Sequence, residues 1–149
     1  MQVFITDHNP AITAKDLDSK RLNKQILETI QIICANNDIN DIWKIPSYIK
    51  NHPCTKLWSG YDRYLLYYLH CLLNEYLHRK DRPHSCDWIH YELCSRTGKW
   101  LTHNIIDVPD FMSDIFLFNM HLLLTSKNPE YNVLLEREIK LVEYIEVER

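Results

Sequence analysis

With 149 residues, 46% of them hydrophobic and only 2 glycines, the chain is long enough for one well-buried core and too glycine-poor for a turn-rich β architecture. A formal net charge of −3 excludes a protein that coats nucleic acid with its whole surface. Five cysteines without close pairing, no signal-peptide-like apolar start and no apolar run near bilayer length exclude a disulfide framework and a membrane span, so a soluble cytoplasmic protein is expected.

The expected fold is mainly α: a single helical domain over residues 1–149, with a short amino-terminal strand that a carboxy-terminal strand can pair with. Residues 2–6 (QVFIT) are β-branched and aromatic enough for a strand, or form an anchored terminus, and Asp7 to Pro10 make a turn. A helix follows from Pro10 or Ala11 to about Ala35, capped by Asn9 or Thr13 and ended by ANNDIND. Residues 36–53 read as irregular, with Trp43 folded back as an apolar plug. A second long helix begins at Pro53, whose missing N–H suits a first helical position, and runs to about Lys80 as the core helix.

A break at DRPHS precedes a shorter helix that ends near Gly98, and residues 99–110 connect it to the next element. FMSDIFLFNMHLLLTSK is apolar all round and predicts a buried helix stopped by Asn128 and Pro129. The last segment divides between helical periodicity and the alternation of VEYIEV, which would suit a strand beside residues 2–6.

The chemistry centres on DLDSKRLNKQILETIQ (16–31). At 3.6 residues per turn Leu22, Ile26, Ile30 and Ile33 form a packing stripe, and Arg21, Lys24, Glu28 and Gln31 form another. Glu28 stands one turn from Lys24 and two from Arg21, in a cationic field that keeps a carboxylate ionised and attracts an anion. The plainer alternative is an exposed i,i+4 pair contributing ~0.2–0.5 kcal/mol. Residues 15–82 carry a net +3 and residues 83–149 a net −5, so a polyanion would meet the first half of the chain.

His52, just before a helix start, can present its ring beside the positive helix end and bond a phosphate or sugar oxygen, or simply bond a nearby backbone group. Glu75 and Arg79 are spaced as an i,i+4 pair, with Lys80 and His84 close by. Cys86, His90 and Cys94 span ~12 Å along a helix at 1.5 Å per residue, too far for one tetrahedral zinc ion, so no metal and no cofactor are expected. The crowded tyrosines of the second long helix read as core more readily than as base-stacking platforms.

LDSKRLNKQILETIQII (17–33), NHPCTKLW (51–58), NEYLHRKDRPH (74–84) and KNPEY (127–131) together resemble a phage and bacterial group of small proteins classed with the endonuclease V-like pyrimidine-dimer DNA glycosylases. That resemblance implies a helical enzyme that flips a nucleotide, attacks the sugar C1′ with its amino-terminal amine and uses a helix-borne Glu, matched in position by Glu28. The sequence departs from the pattern at Gln2, which is large and leaves Met1 in place, and at Leu27, where those enzymes carry an Arg. The nucleophile is then the Met1 amine, Lys20 or Lys24, or a water activated by Glu28.

The reading that follows is a DNA N-glycosylase-type enzyme acting on a damaged or modified pyrimidine nucleotide. Its catalytic residues would be Glu28, His52 and Met1, with Lys20, Arg21, Lys24, Lys56, Arg79 and His84 on the DNA. The alternatives are a non-enzymatic accessory protein that binds a nucleotide or a host protein, and N-glycosidic chemistry on a free nucleotide.

Overall fold

The computed structural model describes residues 1–99 and 108–134, and every regular element among them is helical. In chain order these are α1 (Pro10–Asp16), α2 (Ser19–Asn36), α3 (Ser47–Lys50), α4 (Pro53–Leu57), α5 (Asp62–Lys80), α6 (Asp87–Thr97) and α7 (Asp114–Lys127), followed by a 3₁₀ turn at Pro129–Tyr131. The core is built on α5, which packs against α1 and α2 and carries α6 on another side. Tyr64, Leu65, Leu66, Tyr68, Leu69 and Leu72 of α5 meet Leu22, Ile26, Ile30 and Ile33 of α2 within one buried cluster. Each such large apolar side chain contributes roughly 1.5–3 kcal/mol when fully buried.

Both long helices expected from the sequence are broken, and the caps explain why. Between α1 and α2 the backbone extends at Leu17, and Asp18 starts a new helix by accepting a hydrogen bond from the Arg21 N–H. The Tyr131 hydroxyl, 2.7 Å from Asp18 Oδ1 and 2.8 Å from its amide nitrogen, fixes this junction to the far end of the described chain. Asn9 rather than Thr13 caps α1. Between α4 and α5 the chain turns through Gly60, whose φ of +88° a side chain would resist. That turn carries Trp58 into the core, stacked on Tyr64 with centroids 5.6 Å apart. Among the described residues Trp58 is thus the buried indole, and Trp43 is only partly buried against the same core.

The expected amino-terminal strand is not found among the described residues: residues 1–5 form no regular element although Val3, Phe4 and Ile5 are buried. Side chains pair the backbone of this segment. The Phe4 N–H donates to Gln25 Oε1 at 2.9 Å, the Tyr68 hydroxyl lies 2.8 Å from Phe4 O, the Thr6 N–H donates to Thr13 Oγ1 at 3.1 Å, and His121 Nε2 donates to Thr6 O at 2.8 Å. A buried backbone must have its polar groups paired, and here four separate elements supply the partners.

Helix α7 is not buried all round. Leu117, Met120, His121 and Leu124 face inward, while Ile115, Phe118 and Leu122 are exposed among the described residues. The segment VEYIEV, with its suggested pairing, and Trp100 and His103 of the connector lie outside the described residues. No described helix is long and apolar enough to cross a membrane.

Candidate active site

Glu28 sits in the middle of α2, facing the amino-terminal segment. Its side chain is 12% exposed, whereas Lys24, its i−4 neighbour, is 66% exposed with Nζ 4.0 Å from Oε1. The carboxylate looks inward: Oε2 accepts from Gln25 Nε2 at 3.0 Å and lies 3.5 Å from the Gln2 amide nitrogen. Gln25 Nε2 also donates to Gln2 O at 2.7 Å. The Met1 amine is one residue from that contact.

Helix α4 closes the other side. His52 is its N-cap, with Nδ1 accepting the Cys54 N–H at 3.0 Å, so a neutral ring carries its proton on Nε2 and presents a donor there. Burial pushes the Cys54 thiol up, a hydrogen bond from the Val3 backbone and the amino-terminal charge oppose that, and the Glu28 charge adds to it. One thiol therefore senses the chain terminus and Glu28 together.

A cavity of about 370 Å³ opens here, lined by Gln2, Val3, His52, Pro53, Cys54, Leu57, Trp58, Phe116 and Met120. Its wall is chiefly apolar, as suits an unstacked ring, with the Gln2 amide and the His52 ring as polar groups. Met120 of α7 accepts from Gln2 Nε2 at 3.6 Å.

The other residues singled out in the sequence fall into two sets. Lys20, Lys24 and Lys56 are exposed, but Arg21 is engaged with Asp18 at 3.0 Å. Arg79 and His84 bond the protein itself. The Arg79 guanidinium meets Glu75 Oε1 at 2.9 Å and donates to Ala14 O and Lys15 O, covering carboxy-terminal carbonyls of α1. His84 Nε2 lies 2.7 Å from Asn23 Oδ1, its Nδ1 accepts the Cys86 N–H, and Tyr76 packs edge-on at 4.7 Å. Burial holds the His84 imidazole below its ordinary pKa.

In the cysteine-histidine helix, His90 Nε2 is 3.1 Å from Leu66 O and 3.7 Å from Cys94 Sγ. No group of three or more His, Cys, Asp or Glu among the described residues is arranged to hold a metal ion.

Gln25, Tyr68, Cys54 and Met120 escaped the sequence reading. A signal existed for Gln25, which sits at i+3 from Leu22 inside the apolar stripe, where a buried amide demands partners. Tyr68 was legible as core but its hydroxyl partners were not, and nothing local marks Met120.

The helical fold thus brings its amino-terminal segment and the capping His52 to one apolar cavity, with the buried Glu28 carboxylate behind the Gln2 amide that lines it. The chain is a member of the pyrimidine dimer DNA glycosylase family, whose model matches residues 1–90. That span includes Glu28 and His52 and stops short of α7. No curated protein and no solved structure matches the chain.

Proposed function

We propose that this protein is a DNA N-glycosylase for a damaged or modified pyrimidine nucleotide, with Glu28 as its catalytic carboxylate. The observation that carries the reading is the Glu28 side chain, only 12% exposed and turned to the amino-terminal backbone, with Oε2 3.5 Å from the Gln2 amide nitrogen and Oε1 4.0 Å from the exposed Lys24. In the proposed reaction the Met1 amine, in its neutral form, attacks C1′ of the flipped nucleotide. The C1′–N bond breaks and the base leaves with the bonding pair, taking up the proton the attacking amine loses; the C1′–O4′ bond then breaks, O4′ gains a proton, and the nitrogen gives up its second proton as the imine forms. Ionised Glu28 stabilises the positive charge that develops on the sugar.

His52 Nε2–H is available as a donor to the nucleotide, and Lys20, Lys24 and Lys56 are free to meet phosphates. Arg21 contributes to the phosphate field from its place beside Asp18. Arg79 and His84 support the site through the scaffold, which is a narrower role than direct contact with DNA.

The test uses labelled duplexes carrying a cyclobutane pyrimidine dimer, a hydroxymethylated pyrimidine or uracil, with protein in excess. An abasic or cleaved product from at least one is expected. Absence of product from all three would overturn the proposal.

A further inference from the structure

We propose that Gln25 is the positioning residue of this site: one buried carboxamide that sets the amino-terminal segment and the Glu28 carboxylate in a fixed mutual geometry. The proposal rests on the reading of Glu28 as the catalytic carboxylate.

Gln25 is fully buried. Its Oε1 accepts the Phe4 N–H at 2.9 Å and shares the proton of the Tyr68 hydroxyl at 3.0 Å. Its Nε2 donates to Gln2 O at 2.7 Å and to Glu28 Oε2 at 3.0 Å. A primary amide has two acceptor lone pairs and two N–H donors, and all four are used. The arrangement also fixes the amide's orientation, because a flip would set N–H against the Phe4 N–H and oxygen against the carboxylate.

No carboxylate or hydroxyl of similar reach supplies two donors and two acceptors. The four bonds join α2, the segment 2–4 and, through Tyr68, α5. Burial holds the Tyr68 phenol well above its ordinary pKa, so it remains a neutral donor.

One consequence follows for Glu28, whose Oε2 is held by the amide donor at 3.0 Å. The same amide holds the Gln2 carbonyl, so the terminus cannot move away from the carboxylate without breaking a buried hydrogen bond. The ionisable groups near Glu28 are Lys24 on its own helix, the Cys54 thiol of α4 and the Tyr68 phenol of α5, and the amino-terminal charge acts on the same Cys54 thiol. Gln25 is the neutral group set among them.

The test compares Gln25→Met, Gln25→Glu and Tyr68→Phe with the parent. It reads kcat and KM on a cleavable duplex, and hydrogen exchange of the Phe4 backbone N–H. Gln25→Met removes the amide's donors and acceptors, so the Phe4 N–H should exchange faster and kcat should fall roughly tenfold to hundredfold with KM unchanged. Gln25→Glu places a second carboxylate beside the first, and the acid limb of the pH–rate profile should move up by about one unit or more. Tyr68→Phe keeps the ring and should give a smaller change of the same sign.

Should one variant fail to fold, the other two carry the test. The exchange measurement needs no turnover, so an inactive parent counts against the proposed function while the exchange rates still decide whether Gln25 fixes the segment beside Glu28. Exchange rates and kcat equal to the parent's in the folded variants would overturn the proposal.

Discussion

Glu28 on α2 and Glu75 on α5 have the same local setting, each one helical turn from a cation on its own helix, yet the fold treats them differently. Glu75 meets Arg79 at 2.9 Å, and that guanidinium also covers carbonyls of α1, so the charges neutralise each other within the scaffold. Glu28 stands 4.0 Å from an exposed Lys24 and takes its closer bonds from Gln25 and the amino-terminal segment. The difference lies in what faces each helix from elsewhere in the chain. Spacing creates the opportunity for a pair, and tertiary contacts decide whether the carboxylate is used up in it or kept for another partner.

This contrast can be broken in several places. The largest effect is expected from moving the terminus: one extra residue before Met1 shifts the amine away from the Gln2 contact with Glu28, and turnover on a cleavable duplex should fall by roughly 10²-fold or more. Unchanged turnover would separate the amine from the chemistry. Next in size, Arg79→Met removes the Glu75 partner and two carbonyl contacts. Urea unfolding should show a loss of about 2 kcal/mol with near-parent activity per folded molecule. An Arg79 variant of full stability but poor DNA binding would place Arg79 on the substrate instead.

A smaller effect concerns pH. His84 and His90 are both held below their ordinary pKa by burial. The unfolded chain therefore binds protons more readily once pH drops below about 6.5, and stability should be lost from there downward. Unfolding free energies measured at about pH 7.5 and about pH 5.5 should differ in that direction, and His84→Gln should narrow the gap. The smallest effect belongs to Lys24→Ala. Stability should change by no more than ~0.5 kcal/mol, while the salt slope of DNA binding should fall by ~0.7–0.9. An unaltered slope would leave Lys24 as a solvated charge.

Much of the scaffold was legible because its signals are local. The stripe of Leu22, Ile26, Ile30 and Ile33 is buried as its periodicity requires, Pro53 opens a helix, and Gly98 ends one in the left-handed conformation. The two helix breaks were not read, because Asp18 and Gly60 sit in stretches whose periodicity nearly continues across them. Only the contacts of Tyr131 and the burial of Trp58 make the turns worthwhile.

The strand expected at residues 2–6 is not found among the described residues. β-branched composition reports that a segment is buried and extended, and it cannot tell a neighbouring strand from side chains that supply the same hydrogen bonds. In the candidate site, Glu28 and His52 could be singled out by residue type and position. Gln25 and the cavity wall from α7 depend on contacts between distant segments.

In the proposed function Glu28 acts in the reaction and not in binding or folding. Its most direct test is Glu28→Gln, assayed for single-turnover cleavage and for duplex affinity on one preparation. Turnover should fall by roughly 10²–10⁴-fold while affinity holds or tightens, since a negative charge near phosphates is removed and the transition-state interaction is lost. Turnover at the parent's rate, or a loss confined to binding, would contradict it.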